Sequence, residues 1–197
     1  MVHTDGFPIV AMHSRAEWRN WLMANHASSK GVWLMSYKAA TGKPTISYAE
    51  GVMEALCFGW IDSKGNKFDN ERSLLYYCPR KPRSNWSGLN KTRVSQLIEQ
   101  GLMTPAGQRM IDLAKATGTW TALDDVEAVV IPADLQAVLA ATPSAEAYFA
   151  AFPKSIKQGI LQWILNAKRP ETRAKRILDT ATLAAQNIRA NQFQPKQ

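Results

Sequence analysis

Histidine and cysteine are scarce in this chain, and no apolar run is long. Two cysteines, Cys57 and Cys78, occur in 197 residues. One pair cannot make the dense framework of a small disulfide-stapled domain, and a chain of this length buries a core without one. Cys57 sits in the apolar run Leu56-Cys57-Phe58 and reads as a buried free thiol. The three histidines, His3, His13 and His26, have no His, Cys or acid at ligand spacing, so no metal is expected. No stretch approaches the ~18–20 apolar residues that a membrane span requires. The N-terminus, Met1-Val2-His3-Thr4-Asp5-Gly6, lacks a basic stretch followed by an apolar one. The protein is therefore expected to be soluble and cytoplasmic, without a signal peptide. Also missing are the phosphate-cradling GxxxxGK[ST] loop, the GxGxxG fingerprint and the GxSxG elbow. No cofactor is expected.

What is present belongs to an ordinary globular protein: 46% hydrophobic and 20% charged residues, with seven tryptophans. The net charge is +8. Residues 1–125 hold 15 basic and 11 acidic side chains, and residues 126–197 hold 9 and 5, so each part carries +4. Two local peaks stand out. One is Arg72, Arg80, Lys81, Arg83, Lys91 and Arg93, with no acid between Glu71 and Glu99. The other is Lys168, Arg169, Arg173, Lys175 and Arg176, where Arg169, Arg173 and Arg176 share a helix face. Such peaks attract anions or serve as solvated faces, and composition leaves both open.

Punctuation and periodicity predict an α+β fold. An extended lead-in over residues 1–13 precedes a helix capped by Ser14, with Glu17 completing a capping box and Trp18, Trp21 and Leu22 on one face. Val32–Tyr37 reads as a strand. Ser47 and Glu50 form a second capping box before Val52, Ala55 and Leu56. Two further strands follow, Trp60-Ile61-Asp62 and Ser73–Cys78, with a hairpin turn expected at Gly65-Asn66. Arg80–Leu89 is a loop, Asn90 caps a helix, and Thr104-Pro105 opens another that ends at Gly118. Beyond a connector at Trp120–Ile131 the pattern is helical only, with helices opening near Pro132, Ser144 and Pro170. The expected organisation is a domain over 1–125 holding a small antiparallel sheet packed with helices, a helical segment over 126–190, and a frayed tail over 191–197.

One constellation mixes turn residues with large amphipathic side chains, an acid and a base: Trp60, Asp62, Arg80, Ser84, Trp86 and Asn90. Loops and strand exits are where a rigid scaffold displays binding groups. Trp60 and Trp86 suit the walls of a cleft, Arg80 a carboxylate or phosphate, and Asp62 a ligand or Arg80 itself. The same residues also read structurally, with an Asp62–Arg80 clamp, Trp86 in the core, and Ser84 or Asn90 as helix caps.

Several segments carry a resemblance: Trp21-Leu22 with Gly31–Leu34, Glu54–Asp62, Pro79-Arg80 with Ser84–Ser87 and Asn90, and downstream Pro132–Leu135 and Ala167-Lys168 with Glu171–Ile177. Together they resemble the YdeI/OmpD-associated, bacteriocin-protection family. The resemblance implies no reaction and no catalytic residue, only an association with an outer-membrane porin and with protection from bacteriocins or cationic peptides. The residues themselves favour a non-catalytic module that takes a small or extended anionic ligand, a small molecule or peptide, in a Trp/Arg/Asn cleft. Single-stranded nucleic-acid binding stays open, as does an enzyme using Asp62 or Cys57.

Overall fold

A computed structural model describes residues 4–192; His3 and the tail from residue 193 lie outside the described residues. The chain divides into two compact units, Met1–Thr121 and Ala122–Gln197. The first is a mixed four-stranded sheet with helices, the second is helical, and the class is α+β. Among the described residues no helix is long and apolar enough to cross a membrane.

The sheet has the order β1-β2-β4-β3, formed by β1 (Ile9–Ala11), β2 (Val32–Tyr37), β4 (Arg72–Pro79) and β3 (Trp60–Lys67). Part of the expected lead-in is thus a strand. It pairs parallel to β2, Ile9 opposite Trp33, so the sheet is mixed rather than purely antiparallel. Sequence periodicity could not find it, because three residues show no pattern and the pairing depends on a strand more than twenty residues away. The hairpin expected at Gly65-Asn66 lies elsewhere. Both residues are inside β3, which carries an irregularity between Asp62 and Gly65. The turn forms at 68–71, where the Asp69 carboxylate accepts from the Glu71 and Arg72 amides at 2.8 and 2.7 Å. That local aspartate–backbone turn outcompetes the glycine.

Helix α1 (Arg15–Asn25) packs with α2 (Tyr48–Cys57) in the same core. Ser14 caps α1 by accepting from the Glu17 amide. The return bond of the expected box is displaced by one residue, since Glu17 accepts from the His13 amide at 2.8 Å. The Ser47–Glu50 box forms complete. Helix α3 (Gly88–Glu99) is capped by Ser87, not Asn90, which supplies the amide that the Ser87 hydroxyl accepts from. Thr104 and Gly118 bound α4 (Pro105–Thr117) as their types require.

Trp18, Leu22, Leu34, Leu56, Tyr77 and Leu97 are all buried in the first core. The second unit places α5 (Asp124–Ala128) inside the expected connector. It continues with α6 (Ala133–Ala140), α7 (Pro143–Ala151), α8 (Lys154–Leu165) and α9 (Pro170–Ala184). Its core centres on Leu135, Phe149, Ile160, Ile164 and Ala184. Two of the three arginines on the basic face of α9 are engaged inside this unit. Arg173 grips Asp134 through two bonds of 2.7 and 2.9 Å, and Arg176 donates to the Trp163 carbonyl.

Candidate functional site

The six residues singled out from the sequence do not form one open cleft. Trp60 and Trp86 are 1% and 2% exposed and belong to the core. Trp60 donates its indole N–H to the His26 carbonyl at 3.1 Å and meets Trp21 edge-on. Trp86 packs against Trp120 with ring centroids 5.1 Å apart. Asp62 does not clamp Arg80; its Oδ2 accepts from the Tyr48 hydroxyl at 3.0 Å. Asn90 accepts from Arg93 at 3.0 Å, and Arg93 lies 5.9 Å from the Tyr48 ring centroid. Ser84 donates to the Lys81 carbonyl within its own loop. The set therefore splits. Trp60, Arg80 and Trp86 form one group, Asp62 and Asn90 join Tyr48 and Arg93 in another, and Ser84 stays apart.

Arg80 is the unusual member. It is 6% exposed, and its guanidinium lies 3.8 Å from the centroid of the Trp86 ring. Nη2 donates to the Asn85 carbonyl at 2.7 Å, while Nε is buried without a partner. Among the described residues no carboxylate forms an ion pair with it. Burial pushes its pKa down to about 10, opposed only by the more distant charge of Asp62. A buried charge normally comes with a counter-charge, because desolvation otherwise costs several kcal/mol.

Arg80 borders a depression of about 220 Å³ that adjoins a second of about 420 Å³. His26, Phe58, Ala106 and Arg109 line both, so the two form one groove. Arg19 and Thr104 extend it, and no acidic residue lines either part. The end of α1, the end of α2 and the first turn of α4 supply its walls, so the positive end of one helix dipole is set against the negative ends of two, and the arginines supply the net positive charge. His26 is fixed by Nδ1 at 2.9 Å from the Leu22 carbonyl, which makes Nδ1 the donor and leaves Nε2 for a ligand. Arg19 is committed to Glu54 and to the Leu102 carbonyl. Burial lowers its pKa, and the Glu54 hydrogen bond and charge more than offset that, holding it above the ordinary value. Arg80 and Arg109 are the groups through which the groove can hold an anion, and the His26 Nε2 beside them can accept from a donor group of the same ligand.

Sequence reasoning found Arg80 and Trp60 and missed His26 and Arg109. These four converge through contacts between the sheet and helices far apart in the chain, and no spacing rule links them. Cys57 has no access to the groove as a nucleophile. Its side chain is fully buried, and burial pushes its pKa up to about 11, so it stays a thiol near neutral pH. Among the described residues no group of three or more His, Cys, Asp or Glu could hold a metal ion.

Residues 10–110 match the model of a family described as a domain of unknown function (DUF8412), over more than half of the chain. The chain belongs to this family. Arg19, His26, Arg80 and Arg109 all lie inside that match. Residues 128–187 match a second model, described as Bacteriocin-protection, YdeI or OmpD-Associated. The downstream segments that resemble that family, Pro132–Leu135 and Ala167–Ile177, fall within this second match. The upstream segments, including Glu54–Asp62 and Pro79–Asn90, fall within the first. Comparison with curated proteins and with solved structures gives no match.

Proposed function

We propose that the first unit is a non-catalytic module that binds an anionic ligand, small or extended, in the groove bordered by Arg80, Arg109 and His26. The observation that carries this reading is the buried Arg80 guanidinium without a counter-charge. A pKa pushed from 12.5 down to about 10 corresponds to a folding penalty on the order of 3 kcal/mol. Stacking on Trp86 and the bond to Asn85 offset part of that. A ligand carboxylate or phosphate would supply the missing charge and gain a charge-assisted bond in a partly dry site. The apolar flank of Phe58, Met23 and Met110 suits a ligand with a hydrocarbon or ring portion next to the anion.

Arg80→Met keeps the volume and removes the charge. Its melting temperature is expected to equal or exceed that of the unaltered protein, while affinity for the anion falls at least about tenfold. Calorimetric titration with pyrophosphate, with a short glutamate-rich peptide and with a single-stranded oligonucleotide reads this directly. Arg109→Ala should weaken the same ligand and flatten its salt dependence. Unchanged affinity in both variants would remove the groove as the site. Binding by the oligonucleotide alone, steeply salt-dependent, would instead favour the nucleic-acid reading.

The family description of residues 128–187 supports a second reading, protection of the cell against bacteriocins. A strain lacking this protein should then be killed at a lower bacteriocin concentration, and restored by the intact chain. Equal sensitivity with and without the protein would end that reading.

A further inference from the structure

A separate cavity of about 290 Å³ opens over the inward face of the sheet, beside the first turn of α2. It shares no lining residue with the basic groove. The inward face carries Leu34 and Ser36 from β2 and Ser73 and Leu75 from β4, residues that alternate along each strand as one face requires. Leu34 pairs with Leu75 and Ser36 with Ser73. The cavity floor is therefore apolar in the middle and hydroxylic at one end, where the two Oγ atoms stand 3.5 Å apart, while Tyr77, whose buried hydroxyl has no partner, lines the other end. Ile46, Ser47 and Tyr48 close the side toward α2.

The space exists because β3 withholds a side chain. Gly65 pairs with Leu75, so a side chain at 65 would stand on the same inward face. A β-carbon there would meet only the Leu74 carbonyl oxygen, at 3.8 Å, an ordinary contact. The backbone of Gly65 has no positive φ that would demand glycine. Neither an acid nor a base lines the cavity.

We infer that this cavity binds a small uncharged molecule with an apolar body and one polar end, such as an amide, that meets the Ser36–Ser73 pair. Each serine hydroxyl both donates and accepts. Joined to each other, they retain one donor and further acceptor capacity, which matches a group that accepts through a carbonyl and donates through N–H. An ionic ligand is disfavoured, because it would lose its hydration against leucine and isoleucine with no counter-charge in the lining. This site stands apart from the basic groove in residues and in chemistry, so the two are tested independently.

The probe is benzamide, with benzoate as its charged counterpart of nearly equal shape. Amide resonances of the full chain are followed during titration at millimolar concentrations, where a fragment of this size is expected to bind. Benzamide should shift residues 34–36, 65–66 and 73–75, and benzoate should leave them in place. Gly65→Val inserts a side chain into the open space of a strand, a change that suits β structure. It should retain the melting temperature and weaken benzamide at least about tenfold. Ser36→Ala with Ser73→Ala removes the polar end and enlarges the cavity only by the two hydroxyl oxygens, and should weaken benzamide as well. No shifts with benzamide, equal shifts with benzoate, or full affinity in both a folded Gly65→Val protein and the serine double variant would each overturn the inference.

Discussion

Glu54→Ala is expected to lower the stability of the first unit by about 3 kcal/mol, near the lower end of the cost of breaking a buried ion pair. Glu54 is 1% exposed, on the face of α2 that meets α1. Its two oxygens accept from Arg15 Nε at 2.6 Å and Arg19 Nη1 at 2.7 Å. The two arginines stand four residues apart on α1, so a single carboxylate clasps one helix face to another. Truncation takes the carboxylate from both guanidiniums and leaves Arg19 with its bond to the Leu102 carbonyl. One nitrogen, Arg15 Nη2, is already buried without a partner. The side chains keep 33% and 25% exposure, so water recovers part of the loss and the cost does not reach the upper values. Glu54→Gln retains shape and one acceptor oxygen and should cost about half as much. Urea unfolding followed by tryptophan fluorescence measures both. A Glu54→Ala protein within about 1 kcal/mol of the original would mean that the clasp contributes little beyond its desolvation cost.

The second large effect couples two positions. Gly51→Ala ordinarily strengthens a helix by about 1 kcal/mol. Here the new β-carbon would stand 2.5 Å from the Tyr77 hydroxyl oxygen, which is fully buried and packed beside Trp18. Overpacking of this kind costs about 1–3 kcal/mol, and after the helix gain the net result should be a loss of about 1 kcal/mol. Tyr77→Phe removes the obstructing atom. That hydroxyl has no partner, so its removal alone should be neutral or stabilising by up to about 1 kcal/mol. In the Tyr77→Phe background the nearest ring carbon lies 3.5 Å from the added methyl, and Gly51→Ala should become neutral or favourable. A double-mutant cycle should therefore show a coupling of about 2 kcal/mol, whereas simple additivity would show that the hydroxyl is not the obstacle.

A linear reading of the chain reaches interactions between near neighbours. The Ser47–Glu50 box, the Thr104-Pro105 start and the Gly118 stop join residues within four positions of each other, and all three form as read. The hairpin turn was also a local matter, but two local devices competed. Gly65-Asn66 offered backbone freedom, and Asp69 offered two backbone hydrogen bonds plus the Arg72 side chain. The hydrogen-bonded device prevailed and left Gly65 free to open a cavity. Tryptophan proved the least legible residue. Its size left both cleft wall and core open for Trp60 and Trp86; both are buried, Trp86 under Arg80 and Trp60 with an edge on the groove.

Caps, periodicity and charge are properties of neighbouring residues. The α+β class, most helix boundaries, the family resemblance and the basic character of the chain were therefore legible from the order of residues alone. Folding in three dimensions settled the rest: that β1 joins the sheet in parallel, that Arg80 is buried without an acid, and that Arg109 and His26 share its groove. Those outcomes depend on which surfaces meet when apolar faces leave water, a choice made jointly by elements as far apart as α1 and α4, and written in no single stretch of chain.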